Sequence, residues 1–325
     1  MIRTSKRITL TNNTKVLLAK DKYDNIISLN NIEFEMQPLY KNIPGNRGGN
    51  STVLKLLLAS DEDQDDIDSE IELVIKISNI DVNDHSNYSF NRKRRFQREI
   101  LALRKAEKKK LKNVVRIIHD GSILIEGKEF LFYTMERANA DLTDYLKIRR
   151  SIQQKIFLFQ SILQGMRELH ELEIYHRDIK NDNIFIYGDE CKVGDLGLIR
   201  FKSEDVLALD DDQRIGAFGW ECPEAMNFFF SERAPDNPEF TFDDKIDEAS
   251  DIFQLGKLFW YILQGNLPIG CIEPEDFRIA DQQLFNVLLL LLQHGKTKHR
   301  SPNRRPLTIR DVQAMVAGIA RKYAA

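Results

Sequence analysis

Along this chain the apolar positions change their period near Met135. Before it come short runs rich in β-branched and aromatic residues, at 53–58, 71–77, 114–118 and 130–135. Runs of that length and composition predict extended strands. One stretch, 90–111, breaks the pattern, because Phe96, Ile100 and Leu103 recur at helical steps among many Lys and Arg. After Met135 helical spacing takes over. Ile152, Ile156, Phe159, Ile162, Leu163, Met166 and Leu169 fall on one face of a helix predicted over 152–170. Further apolar helices are predicted over 250–264 and 283–293, and a last one over 307–321 with Thr308 as its N-cap. Strands with one helix, followed mostly by helices, argue for an α+β chain in two lobes joined near 136–140. The expected division is an N-terminal extension of unassigned role (1–37), a smaller strand-rich lobe (38–136) and a larger helical lobe (137–325). The mostly acidic residues 61–68 have no core-forming pattern and predict a solvated loop between two strands.

Composition narrows the picture only a little. The chain has 325 residues, enough for one large domain or two lobes. A net charge of −3 excludes a polyanion binder driven by overall charge. Basic runs occur at Arg92-Lys93-Arg94-Arg95, at 108–110 and at 296–300. They read as solvated faces, since no aromatic stacking pattern accompanies them, although they leave nucleic acid open as a partner. The acidic loop at 61–68 is a candidate to lie against the basic helix. Cys191, Cys222 and Cys271 are far apart and match no metal-ligand spacing. Reduced thiols, a polar N-terminus without a signal-peptide core, and a longest apolar run of only 287–292 predict a soluble cytoplasmic protein with no membrane span.

The densest chemical signal is Ile174-Tyr175-His176-Arg177-Asp178-Ile179-Lys180-Asn181-Asp182-Asn183. A Lys stands two residues and an Asn five residues after Asp178, between apolar flanks that predict short buried strands. Phosphoryl transfer uses such a set: a carboxylate to orient a hydroxyl, an ammonium to meet phosphoryl charge and an amide oxygen to hold a metal ion. Gly194-Asp195-Leu196-Gly197 follows soon after and supplies a second candidate metal ligand. On its own that tetrapeptide is an ordinary turn signal.

These segments, in their order and spacing, resemble the eukaryotic-type Ser/Thr protein kinase family over about residues 42–306. Residues 176–183 resemble the family's catalytic loop, Asp195-Leu196-Gly197 its metal-binding triplet and Val74-Ile75-Lys76 its strand lysine. Cys222-Pro223-Glu224, Asp251 and Arg305 resemble further fixed positions in the larger lobe. The resemblance implies a bilobal kinase fold and transfer of the γ-phosphoryl group of ATP to Ser/Thr hydroxyls of protein substrates. It implies Asp178 as catalytic base, Lys180 on the transferring phosphoryl group, and Lys76 on the ATP phosphates. Glu99 is the helix carboxylate that would hold Lys76, in preference to Glu107 in the Lys-rich tail; a surface pair of Glu99 with Arg95 is the plain alternative. Asn183 and Asp195 would ligate Mg²⁺, or Mn²⁺. The family's three phosphate-loop glycines fall at Asn46, Gly48 and Ser51, with Gly45 and Gly49 nearby. Val53, Val74 and Phe185 would sandwich the adenine, Met135 would guard the pocket, and backbone groups of Glu136 and Ala138 would read its edge.

Several positions depart from the family's pattern. Ala217 stands where a Thr hydroxyl usually orients the catalytic Asp, so Asp178 is expected to lose one partner and turnover to fall. The activation segment holds Ser203 as its one phosphorylatable residue, and Asp210, Asp211 and Asp212 are candidates to neutralise Arg177 in place of a phosphate. Glu224 and Arg305 resemble a buried ion pair, and Cys222 reads as a packing residue. Two rival readings stay open: a pseudokinase scaffold or switch, favoured by the irregular phosphate loop and Ala217, and a small-molecule kinase of related fold.

Overall fold

The computed structural model describes residues 2–3, 9–11, 15–18, 25–39, 51–59, 72–203, 215–231, 243–296 and 304–324. Asn46, Gly48 and Gly49, the acidic stretch 61–68, Asp210 to Asp212 and residues 297–300 of the last basic run lie outside these. The chain forms two compact units: residues 1–109 with 115–137, and residues 110–114 with 138–325.

The first unit holds strands β1 (Ile2–Arg3), β2 (Thr9–Thr11), β3 (Lys15–Leu17), β4 (Ile26–Leu29), β5 (Ile32–Pro38), β6 (Ser51–Leu58) and β7 (Leu73–Asp81). Helix α1 (Asn87–Lys108) follows, then β8 (Ile117–Ile125) and β9 (Lys128–Glu136). Seven of the strands make one sheet in the order β1-β8-β9-β7-β6-β5-β4. Strand β1 pairs in parallel with β8 and also lies against β4, and Asn30 on the β4–β5 turn reaches His119 on β8 at 3.5 Å. The sheet therefore curls until its edges meet. Alternate residues of its strands fill the interior, among them Leu29, Met36, Leu56, Ile75 and Phe132, all buried. Residues 1–37, set apart in the sequence, thus contribute strands to this sheet. The strand expected at 114–118 begins later, at Ile117, and Val114 belongs to the second unit, bridged to Val193.

Helix α1 starts where Ser86 accepts the N–H of Ser89, and it lays Phe96, Glu99, Ala102, Leu103 and Ala106 against the outer face of the sheet. That face of β7 carries Val74 and Lys76, opposite in sense to Ile75 and Ile77 in the interior.

The second unit comprises β10 (Ala140–Asp141), α2 (Leu142–Leu146), α3 (Ile152–Glu171), β11 (Ile174–Tyr175), β12 (Ile184–Tyr187), β13 (Glu190–Val193) and β14 (Arg200–Phe201). Helices α4 (Pro223–Ser231), α5 (Glu248–Gln264), α6 (Gln282–Leu291) and α7 (Ile309–Ala324) complete it. The helices expected from 3.6-residue spacing all form, and Thr308 does accept the N–H of Asp311 at the start of α7. The heptad-like face of α3 is buried from Ile156 to Leu169 and packs on α5, α7 and β13. Gly165 on that face permits a close crossing. A Cβ there would collide with the carbonyl oxygen of Asn113, whose segment is tied to α3 and β13 by bonds from Asn113 N to Glu168 and from Val193 N to Asn113 O. Helix α5 is buried on nearly every side, begins at the capping box of Asp247 and Ser250, and ends at Gly265 in the left-handed conformation. Among the described residues no helix is long and apolar enough to cross a membrane.

Candidate active site

Two clusters collect the residues singled out by sequence, one in each unit. In the first unit a single cross-strand row carries Val53, Lys76 and Tyr133, paired in register across β6, β7 and β9. The next row on the same face sets Val74 opposite Met135. Directly opposed residues of an antiparallel pair project to the same side, so these positions share one face. Val74 is buried, while Val53 and Met135 are half-buried. Ser51 opens β6 and Glu136 closes β9. Glu99, from α1, is buried rather than surface-facing, and its Oε1 accepts from Lys76 Nζ at 2.8 Å. The phenol of Tyr133 donates to the same oxygen, also at 2.8 Å. Tyr133 had been legible only as one apolar residue of a strand.

In the second unit the loop after β11 is built around Asp178. Its Oδ2 accepts from Lys180 Nζ at 2.8 Å and from Asn183 Nδ2 at 3.0 Å. Its Oδ1 accepts the backbone N–H of Ala217 at 3.1 Å. The side-chain hydroxyl is absent at Ala217, as the sequence indicates, and the residue's contact with Asp178 is made by its main-chain N–H. Gly216, just before it, has φ +95°, a conformation that favours glycine and turns this N–H toward Asp178.

The loop's backbone is fastened by two side chains one turn apart on α5. Asp251 accepts the N–H groups of His176 and Arg177, each at 2.8 Å. Gln254 accepts from Ile179 N at 3.0 Å and donates to Arg177 O at 3.1 Å. Both main-chain neighbours of Asp178 are thereby held, which steadies Arg177 in a left-handed conformation at φ +70°. Gln254 was not anticipated. The signal for it is a polar side chain three residues after Asp251, between the apolar Phe253 and Leu255. His176 closes the loop from below: its Nδ1 accepts the N–H of Asp178, so Nε2 carries the proton and donates to Gly194 O at 3.1 Å.

Asn183 and Asp195 are brought to the same end of the β12–β13 hairpin, where Ile184 pairs with Val193 and Gly194 N donates to Asn183 O. The amide of Asn183 is oriented by its Nδ2, which donates to the carbonyl as well as the carboxylate of Asp178. Its Oδ1 is thus the atom turned toward a ligand. An amide oxygen and a carboxylate form a hard-oxygen set that suits Mg²⁺ or Mn²⁺. Phe185, next on β12, is half-buried, as is Ala138 just before β10. Leu196 is fully buried.

Beneath this loop His170 of α3 bridges to α5, with Nε2 at 2.8 Å from Asp251 and Nδ1 at 3.3 Å from Glu248. Burial alone would lower the imidazole pKa, but its hydrogen bond to Asp251 and the adjacent Glu248 carboxylate outweigh burial and raise it to about 9. The unfolded chain returns it to about 6.5. Stability from this group is full below about pH 6.5 and is lost as pH rises through about 9. The urea midpoint of the protein is accordingly expected to converge on that of a His170→Gln variant across this window. A gap that stays constant with pH would contradict the assignment.

Glu224, at the start of α4, and Arg305 are both buried and joined by a hydrogen-bonded ion pair. Lys296 joins them, 3.9 Å from Glu224, 3.4 Å from Asp247 and 3.5 Å from Asp243. Lys296 therefore departs from the solvated basic face expected of its run: it is buried among carboxylates. Cys222 is buried too, and its thiol is pushed up to about 12, which suits packing and not nucleophilic work.

The protein kinase domain profile matches residues 65–318, more than three quarters of the chain. The chain belongs to the protein kinase domain family. The matched region takes in Lys76, Glu99, the loop at Asp178, Asp195, Glu224 and Arg305, and it begins after the segment from Asn46 to Val53. Among curated proteins the chain is similar to dual specificity protein kinase TTK of Mus musculus, with 26% identity over 43% of this chain and 16% of that protein. It is also similar to the RAF proto-oncogene serine/threonine-protein kinase of Xenopus laevis, with 32% identity over 38% of this chain and 18% of that protein. The matches thus span less than a fifth of the length of these relatives.

Proposed function

We propose that this kinase domain transfers the γ-phosphoryl group of ATP to Ser or Thr hydroxyls of protein substrates. The observation that carries the proposal is the convergence of Lys180 and Asn183 on one carboxylate oxygen of Asp178, in a chain of this family. That geometry leaves Asp178 as a fixed acceptor for the proton of an incoming hydroxyl. Lys180 shares the carboxylate and offers its charge to the phosphoryl oxygens as the bond to the leaving group lengthens. Lys76, aligned by Glu99, binds the ATP phosphates. Asn183 and Asp195 would hold a divalent cation such as Mg²⁺ or Mn²⁺, which would supply charge neutralisation. Ser51 and the residues Asn46, Gly48 and Gly49 are assigned to the phosphates through their main-chain N–H groups. Val53, Val74, Met135 and Phe185 are assigned to the adenine, with the backbone of Glu136 and Ala138 at its edge. Residues 38–136 and 137–325 are taken as the family's two lobes.

Protein hydroxyls are favoured over small-molecule acceptors by the Cys222-Pro223-Glu224 segment and its buried anchor, Arg305. Ser and Thr are favoured over Tyr by the lysine two residues after Asp178. A relative named as dual-specificity makes the acceptor the natural point to test. Phosphoamino-acid analysis of a degenerate peptide library should return phosphoserine and phosphothreonine. Phosphotyrosine as the main product would overturn the assignment of acceptor.

A further inference from the structure

We infer that Tyr133 is a positioning residue for the phosphate-binding lysine, holding Glu99 on Lys76 through its phenol. The inference rests on the roles proposed above for Lys76 and Glu99. It begins with the sheet register. Lys76 and Tyr133 are direct partners on β7 and β9, so the two strands place an ammonium and a phenol side by side on the face that α1 covers. Glu99 Oε1 receives both, each at 2.8 Å. Lys76 Nζ also lies 5.7 Å from the centroid of the Tyr133 ring, within reach of its electron-rich face. Phe96, one turn before Glu99 on α1, packs its ring on Tyr133 at a centroid distance of 5.7 Å. A single turn of α1 is thus fastened to β9 by a ring contact and a hydrogen bond, and to β7 by an ion pair.

The burial of Tyr133 gives that bond its directing effect. The side chain is 2% exposed, so its hydroxyl has a stake in keeping Glu99 in place. If α1 turned or swung and took Glu99 away, the buried hydroxyl would lose this acceptor, which is costly in a dry site. A residue that filled the same space without a hydroxyl, such as Phe, would pack as well and exert no such bias. The phenol therefore makes the Lys76-engaged position of α1 the resting arrangement of this unit.

Tyr133→Phe removes one oxygen and keeps the ring on Phe96. With Mg²⁺ and ATP varied, kcat/KM for ATP is expected to fall about 3- to 10-fold, the loss of one buried hydrogen bond, with KM for the peptide unchanged. In a Glu99→Ala background, which has no acceptor for the phenol, the same substitution is expected to have little further effect, because the two residues act as one unit. An unaltered kcat/KM in Tyr133→Phe, or the same loss with and without Glu99, would overturn the inference and leave the kinase reading intact. If the parent protein transfers no phosphoryl group, the kinase reading falls, and Tyr133 is then read by hydrogen exchange. Amides of the α1 turn around Glu99 should exchange faster in Tyr133→Phe, and unchanged exchange would overturn the inference.

Discussion

Asp178→Asn is expected to lower kcat by about 10²–10⁴-fold while leaving KM for ATP nearly unchanged. The expectation follows from how the carboxylate is used. Both of its oxygens accept hydrogen bonds: Oδ2 from Lys180 and Asn183, Oδ1 from the N–H of Ala217. An amide has one acceptor oxygen. In either orientation its NH₂ faces a donor, so the side chain is turned from its place as well as deprived of its basicity. The loop itself should survive, since Asp251 and Gln254 hold its backbone on either side of residue 178. The unfolding midpoint of the variant should accordingly lie close to that of the parent. A steady-state titration of ATP and peptide separates the two parameters. A variant retaining a tenth or more of the parent kcat would remove Asp178 from its assigned role.

The second large effect is on stability. Glu224→Gln and Arg305→Met are each expected to destabilise the protein by about 3–5 kcal/mol, because each strands a buried charge. Both side chains are almost fully enclosed, and the Arg305 guanidinium also lies over the ring of Phe253 at 5.2 Å. Lys296 makes the two losses unequal. It stands 3.9 Å from Glu224 and can cover part of that charge when Arg305 is gone. When Glu224 is lost, Arg305 and Lys296 are left as neighbouring cations. Glu224→Gln should therefore cost more, and the double variant should cost less than the sum of the two. Urea unfolding of the three variants measures this. Losses near 1 kcal/mol or below would show that the pair contributes no more than an exposed one.

The difference between these residues and those found only in the structure is a difference in kind. Asp178, Lys180 and Asn183 are close in sequence, so their spacing alone brings them together once the loop is gripped by β11 and β12. Lys76 and Glu99 come from separate elements, yet each sits in a strongly patterned segment, an apolar strand and an amphipathic helix. The phenol of Tyr133 offers no such pattern, because only the register of β7 against β9 sets it beside Lys76. Gln254 and His170 are likewise specified by helix packing. Lys296 reads as part of a basic run, and its burial depends on carboxylates far earlier in the chain, Glu224, Asp243 and Asp247. The strands before residue 38 were not legible for the same reason: their short runs gain meaning from pairing with β8 and β5. At Ala217 the sequence shows the lost hydroxyl but not the backbone N–H bond to Asp178, which any residue there can donate.

The proposed activity separates from that of an inert scaffold at Asp178. The most direct measurement is transfer of γ-labelled phosphate from ATP with Mg²⁺ to a Ser/Thr peptide, followed in time for the parent protein and for Asp178→Asn. Label should accumulate on the peptide with the parent and slow by at least about 10²-fold with the variant. Binding of ATP by both proteins, with no label moved by either, would contradict the account.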